Sequence, residues 1–138
     1  MPQRPYLPLG NLRKVLFYPE ENIAVNDHEI QNVLQLCQLE QLINKLDTVE
    51  DWSRILSLGE QQRIAFARVL LIRPDWTFLD EASSALDEAT EKIMYQLLKE
   101  RLTATTIISV GHRSTLVSYH NRQLHIGTAG TWTLQDMR

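Results

Sequence analysis

The chain has 138 residues, of which 43% are hydrophobic and 22% charged, with 14 basic and 17 acidic residues and a net charge of −3. This composition excludes a disordered chain, a collagen and a coiled coil, and it leaves no electrostatic footprint for nucleic acid or anionic lipid. The longest aliphatic run, Val69-Leu70-Leu71-Ile72, falls far short of the roughly 20 apolar residues that a membrane helix needs, so length and composition suggest one soluble, cytosolic domain.

Met1 to Pro5 lacks the apolar centre of a signal peptide. Residues 1–25 hold four of the five prolines (Pro2, Pro5, Pro8, Pro19), which predicts an extended or looped segment with at most one helical turn over Asn11–Phe17. A helix is expected from Asn26-Asp27, with Asn26 as cap, Glu29 at capping-box spacing, and Ile30, Val33, Leu34, Cys37 and Leu42 on its apolar side. Cys37, the only cysteine, excludes an internal disulfide and reads as a small buried hydrophobe without a basic neighbour to activate it. Residues 44–55 are polar with isolated apolar anchors and read as a loop.

A second helix opens at Ser57, again with a glutamate (Glu60) at capping-box spacing, and runs to Arg73, where Pro74 ends it. Trp76 to Leu79 reads as a short strand that stops at Asp80-Glu81. Ser84 to Leu86 is a connector, and a third helix over Glu88–Arg101 has Asp87 as a possible cap. Thr105 to Val110 has the composition of a strand buried on both faces and ends at Gly111-His112. A short helix over Ser114–His120 and a hairpin of Gln123–Ile126 with Thr131–Leu134 complete the pattern. Helices alternating with apolar strands predict an α/β fold with a mainly parallel sheet, whose ligands bind beyond the carboxyl ends of the strands.

Three features carry chemistry. Asp80-Glu81 at a strand end suits a hydrated divalent cation together with a general base, although such a pair also serves as a solvated turn. Ser57 to Arg63 opens a helix whose free amides and dipole suit a phosphate, although Ser57 and Glu60 are equally explained as an ordinary cap. His112 at the other strand end reads as a catalytic residue or as a satisfied structural one. Arg4, Arg63 and Arg113 would reach phosphate or simply form a solvated face.

The segments Leu56–Arg63, Trp76–Glu81, Ser84–Asp87 and Ser109–Arg113 occur in this order, and together they resemble the nucleotide-binding domain of ATP-binding-cassette (ABC) proteins over nearly the whole chain. Leu56–Glu60 looks like the signature motif, Trp76–Glu81 like the Walker B strand, Ser84–Asp87 like the D-loop, and Gln3 falls where the family has its Q-loop glutamine. The form of the signature and Pro5–Gly10 resemble peroxisomal fatty-acyl half-transporters and their bacterial relatives.

The resemblance implies a partial P-loop NTPase (ABC ATPase) fold with an α-helical subdomain and a C-terminal β-hairpin. It divides one incomplete nucleotide-binding domain into 1–25 (Q-loop and connector), 26–73 (helical subdomain with the signature helix) and 74–138 (Walker B, D-loop and switch histidine). The implied ligands are ATP and Mg²⁺. Asp80 would hold Mg²⁺, with Gln3 approaching it; Glu81 would polarise the attacking water and His112 would contact the γ-phosphate. Ser57, Gly59 and Glu60 would face ATP held by a second nucleotide-binding domain, and Asp87 would lie at that interface. A transmembrane domain, upstream or on another chain, would place the chain on the cytoplasmic face of a membrane, where ATP hydrolysis drives transport.

Two departures stand out. Leu58 and Glu60 occupy positions where the commoner signature has glycine and glutamine, and leucine resists φ > 0. No glycine (Gly10, Gly59, Gly111, Gly127, Gly130) is followed by lysine, so the P-loop pattern G-x-x-x-x-G-K-[ST] is absent. The chain is therefore expected to be the carboxy-terminal part of such a domain, from a longer protein or a truncated reading frame, with sheet edge and apolar surface left open and little activity alone. A non-catalytic remnant or a soluble ABC ATPase are the alternatives.

Overall fold

The structure is a computed structural model describing residues 1–21 and 23–137. The N-terminal half is helical: β1 (Gly10–Asn11), α1 (Leu12–Phe17), α2 (Asp27–Leu36), β2 (Val49–Glu50), α3 (Trp52–Ile55) and α4 (Leu58–Ile72). The second half contains β3 (Trp76–Asp80), α5 (Glu88–Arg101), β4 (Thr106–Val110) and the strands β5 (Arg122–Ile126) and β6 (Trp132–Asp136).

Four helices start where a side chain accepts the third amide of the helix: Asn11 from Lys14, Asn26 from Glu29, Ser57 from Glu60 and Asp87 from Thr90. At the far end of α4, Arg73 turns left-handed at φ 52° immediately before Pro74. Ile64, Ala65, Phe66 and Ala67 are consecutive and all buried. At 3.6 residues per turn they point in every direction around the axis, so α4 is enclosed. It packs on α1 and α2 on one side and on α5 on the other. Phe66 meets the Tyr95 ring of α5 edge-on, with centroids 5.8 Å apart.

Three expectations are corrected. The helix carrying Ile30 stops at Leu36, because Gln38 adopts φ 57° and the Leu39 amide bonds back to Leu34. Leu39 and Leu42 then enter the core from a separate 3-10 turn. Residues 44–55 contain β2 and α3 rather than loop alone. β2 pairs antiparallel with β1, and buried Trp52 donates its indole N–H to Gly10 C=O at 3.2 Å, a tertiary contact that periodicity does not register.

The third correction concerns the strand ending at His112. β3 and β4 pair in parallel, Trp76 opposite Thr106 through Asp80 opposite Val110, joined by α5. Thr77 and Leu79 face the helices, whereas Trp76, Phe78, Ile108 and Val110 are exposed on the other side. β4 is thus half-covered, because helices pack on one face of the pair only. The far edge of β3 pairs with the first residue: Met1 donates its amine to Phe78 C=O, and the Asp80 amide donates to Met1 C=O at 2.8 Å. β5 and β6 form the expected antiparallel hairpin around Thr128–Gly130, with Leu124, Ile126, Trp132 and Leu134 exposed. Open edge and apolar surface are therefore present, as expected.

Cys37 is buried, and desolvation pushes its thiol up to about 12. Iodoacetamide at pH 8 should leave it unmodified in the native chain and alkylate it fully in urea. Rapid native labelling, read by mass, would show that the end of α2 opens.

Candidate functional site

β3 and β4 run in parallel, so their carboxyl ends lie side by side. The Glu81 amide donates to Val110 C=O at 2.8 Å, which carries the pairing one residue beyond Asp80. Glu81 itself has φ 50°, a left-handed conformation that a long side chain rarely adopts. With this turn its carboxylate Oε1 lies 3.2 Å from His112 Nε2. The carboxylate is about a quarter exposed and the imidazole 98% exposed, so the pair sits at the mouth of the strand ends rather than in the core. Asp80, on the last strand position, is exposed. Gly111 precedes the histidine where a Cβ would lie 2.4 Å from Leu116 Cδ1, so the chain passes close beneath that side chain.

The start of α4 forms the second part of the site. Ser57 Oγ accepts the Glu60 amide at 3.2 Å and the Ser57 amide donates to Glu60 Oε1 at 3.4 Å, completing the capping box, while the Ser57 hydroxyl also donates to that oxygen at 2.9 Å. Glu60 Oε2 accepts from Gln41 at 3.1 Å. Leu58 is an ordinary first helical residue with no positive φ, so its Cβ imposes no strain there. Gly59 faces the turn after β3: a Cβ on it would lie 3.3 Å from Ala85 C=O. Asp87 caps α5, and the Thr90 amide that bonds to it holds its carboxyl below the usual range.

The folded chain brings Glu81 to His112, Gly59 to Ala85, and Gln3 to Ser84, whose Oγ accepts from Gln3 Nε2 at 3.2 Å. Two open depressions, one lined by Asp27, Gln31 and Asp47 and the other by Arg13, Lys14 and Glu20, lie on the helical half and contain none of these residues.

Sequence reasoning passed over two buried polar residues that hold this arrangement. Gln62 of α4 bonds to Gln3, Ser84 and Ala85. Glu91 of α5 is fully buried, accepts from Ser83 Oγ at 2.6 Å and from Thr115 Oγ1, and pairs with Arg113 at 3.2 Å. Arg113 also donates to Ser84 C=O at 3.0 Å, so this network ties the turn after β3 to the segment following His112. Neither announces itself in the sequence: Gln62 sits in the polar run Glu60–Arg63 and looks like an exposed helix residue, while Glu91 in a first helical turn looks like a routine partner for the dipole.

The donor set suits a hard, hydrated cation only in part. Asp80 and Glu81 supply carboxylates, but no group of three or more His, Cys, Asp or Glu among the described residues is placed to hold a metal by itself. A Mg²⁺ bound here would therefore take most of its shell from water and phosphate, as that ion ordinarily does.

A family model described as "ABC transporter" matches residues 11–84, more than half of the chain. A Haemophilus influenzae protein called an uncharacterized ABC transporter ATP-binding protein is 51% identical over 126 residues, covering 91% of this chain and 21% of its own length. The Arabidopsis thaliana ABC transporter D family member 2, chloroplastic, is 36% identical, covering 99% of this chain and 24% of its own length. Among solved structures, a bacterial Atm1-family ABC exporter with ATP bound superposes with a TM-score of 0.74 at 26% identity, covering 89% of this chain and 22% of that one. The chain thus spans between a fifth and a quarter of the length of these relatives.

The Glu91 network generates a stability prediction. Glu91→Ala strands two hydroxyls and a guanidinium and should cost about 2–3 kcal/mol, read as a lower urea midpoint. Replacing Glu91 and Arg113 together by methionine should recover part of that loss, because no uncompensated charge remains.

Proposed function

The chain belongs to the ABC transporter family, and on that premise we propose that it supplies the signature, Walker B, D-loop and switch-histidine parts of an ATP-hydrolysing nucleotide-binding domain. The domain would be completed by a P-loop half, pair with a second copy or a homologous domain, and drive transport through a transmembrane partner from the cytoplasmic face. No described helix is long and apolar enough to cross a membrane. The D-family relative and the Leu-Ser-Leu-Gly-Glu signature support kinship with the half-transporter branch.

One observation carries the reading: the 3.2 Å approach of Glu81 to His112 at the joined carboxyl ends of a parallel strand pair. A carboxylate there, beside the imidazole and part-exposed, can orient a water and draw a proton from it. His112, fully exposed, can turn Nε2 from the carboxylate and donate it to a phosphoryl oxygen that approaches from outside. Asp80 stands beside them as the carboxylate for a hydrated Mg²⁺, and Gln3 borders the same turn. Magnesium, when bound, would neutralise phosphate charge, while the residues of this chain position the water and the transferred group.

The α4 end would meet the terminal phosphate from across a dimer. Ser57 now spends its hydroxyl on Glu60, so contact with phosphate requires that hydroxyl to rotate away from the carboxylate. Asp87 caps the helix that follows the D-loop, which keeps the Ala85–Asp87 backbone beside Gly59, where a partner subunit would lie.

In the transporter that carries this chain, Glu81→Gln should lower ATP turnover by about 100-fold or more, the usual worth of a general base, with ATP affinity nearly unchanged. An equal loss of affinity would contradict the role. The 138-residue chain alone has no G-x-x-x-x-G-K-[ST] cradle for the inner phosphates and should bind Mg-ATP only weakly by isothermal titration. Low-micromolar binding would overturn that expectation.

A further inference from the structure

Gln62 lies inside α4, two residues beyond Glu60, and is fully buried. Its neighbours dictate the orientation of its carboxamide. Oε1 accepts the Ala85 amide at 2.9 Å, a backbone donor, and Nε2 donates to Gln3 C=O at 2.7 Å, a backbone acceptor. Nε2 also reaches Ser84 Oγ at 3.0 Å and, at 3.4 Å, the carbonyl of Glu81. The side chain of Gln3 converges on the same Ser84 hydroxyl. A single amide thus joins α4, the N-terminal segment and the turn that bears Glu81 and leads to Asp87. Met1 and Asp80 make a second bond between the N-terminal segment and β3.

We propose that Gln62 is a positioning residue that locks the Gln3 segment and the 81–85 turn to α4, so that a displacement of Gln3 is transmitted to the backbone of Glu81. The catalytic consequence rests on the ATPase reading above; the mechanical tie does not. The tie is stiff because the Gln62 carboxamide is fully buried and has no water to replace a lost partner. Movement of the Gln3 segment or of the 81–85 turn away from α4 therefore strands part of that carboxamide. An inert space-filling role would require only the shape of the side chain.

Two near-isosteric variants separate these roles. Gln62→Met keeps the shape and removes every hydrogen bond. Gln62→Glu keeps an acceptor for Ala85 and sets a carboxylate oxygen against the carbonyl of Gln3. Amide hydrogen exchange on the 138-residue chain should show Ala85 exchanging about tenfold faster in Gln62→Met. In Gln62→Glu, Asp80 should exchange faster because its bond to Met1 loosens with the segment, while Phe66 stays protected in both. In the transporter, both variants should lower kcat about tenfold with KM for Mg-ATP within about twofold. Gln62→Asn, one methylene too short to span both partners, should show the same kcat loss and stands in for either variant if that variant fails to fold. Unchanged exchange at Ala85 and Asp80, or a raised KM at constant kcat, would overturn the proposal. If the unmodified transporter hydrolyses no ATP, the proposed function falls, and the exchange measurements still decide the tie.

Discussion

The enclosure of α4 is the constraint on which the rest depends. Its middle turns are buried all round, so the polar side chains there take their partners from the chain around them. Gln61 donates to Ser53 C=O and Leu56 C=O, each at 2.9 Å, and thereby sets α3 against the start of α4. Its Oε1 is buried without a partner among the described residues. Gln62 turns the other way and takes its partners from the N-terminal segment and the turn after β3. Burial, capping and Pro74 thus set both ends of one rigid rod: Ser57 at the start, and the entry to β3 at the finish.

The turn between β3 and α5 is gripped from two helices at once. Gln62 of α4 holds Ser84 Oγ and the Ala85 amide. Glu91 of α5 holds Ser83 Oγ, and its partner Arg113 holds Ser84 C=O. Arg113 follows His112 directly, so the grip fixes the position of the histidine relative to the turn that carries Glu81. The left-handed backbone of Glu81 is sustained by this surrounding overdetermination, which is how strained conformations persist at sites. The outer face of β3 and β4, by contrast, carries Trp76 and Phe78 in solvent, a contiguous apolar face of the kind that marks contact with further protein.

What the sequence disclosed follows from the range of the interactions involved. Helix starts were legible because a cap is chemistry between residues three apart, as at Asn26, Ser57 and Asp87. The α4 end was legible because Pro74 has no amide to donate. The end of α2 was not, since it depends on the left-handed turn at Gln38 and on how Leu39 docks. Trp52 organised β2 and α3 through a bond to Gly10, 42 residues away, which no local pattern reveals. At the strand ends, Asp80, Glu81 and His112 stand out as candidates because strand-end chemistry is conspicuous in sequence. Gln62 and Glu91 do not, because a buried polar residue on a helix looks in sequence like an exposed one, and only its partners identify it.

Glu60 also sets the electrostatics at the start of α4. A glutamine there would present a neutral amide to the first turn of α4. Glu60 adds a negative charge, which favours the helix N-terminus, completes the cap by accepting the Ser57 amide at 3.4 Å, and also accepts from the Ser57 hydroxyl at 2.9 Å. The same charge opposes a phosphate that would use those amides. The free helix is therefore better capped, and an anion must displace Ser57 from the carboxylate while a cation or donor compensates the charge left behind. Gln41, which donates to Glu60 Oε2 at 3.1 Å, already supplies one such donor. The Ser57 hydroxyl and the dipole at the start of α4 are thus already engaged by an internal carboxylate, so the first turn is held as a closed cap rather than left with a free hydroxyl.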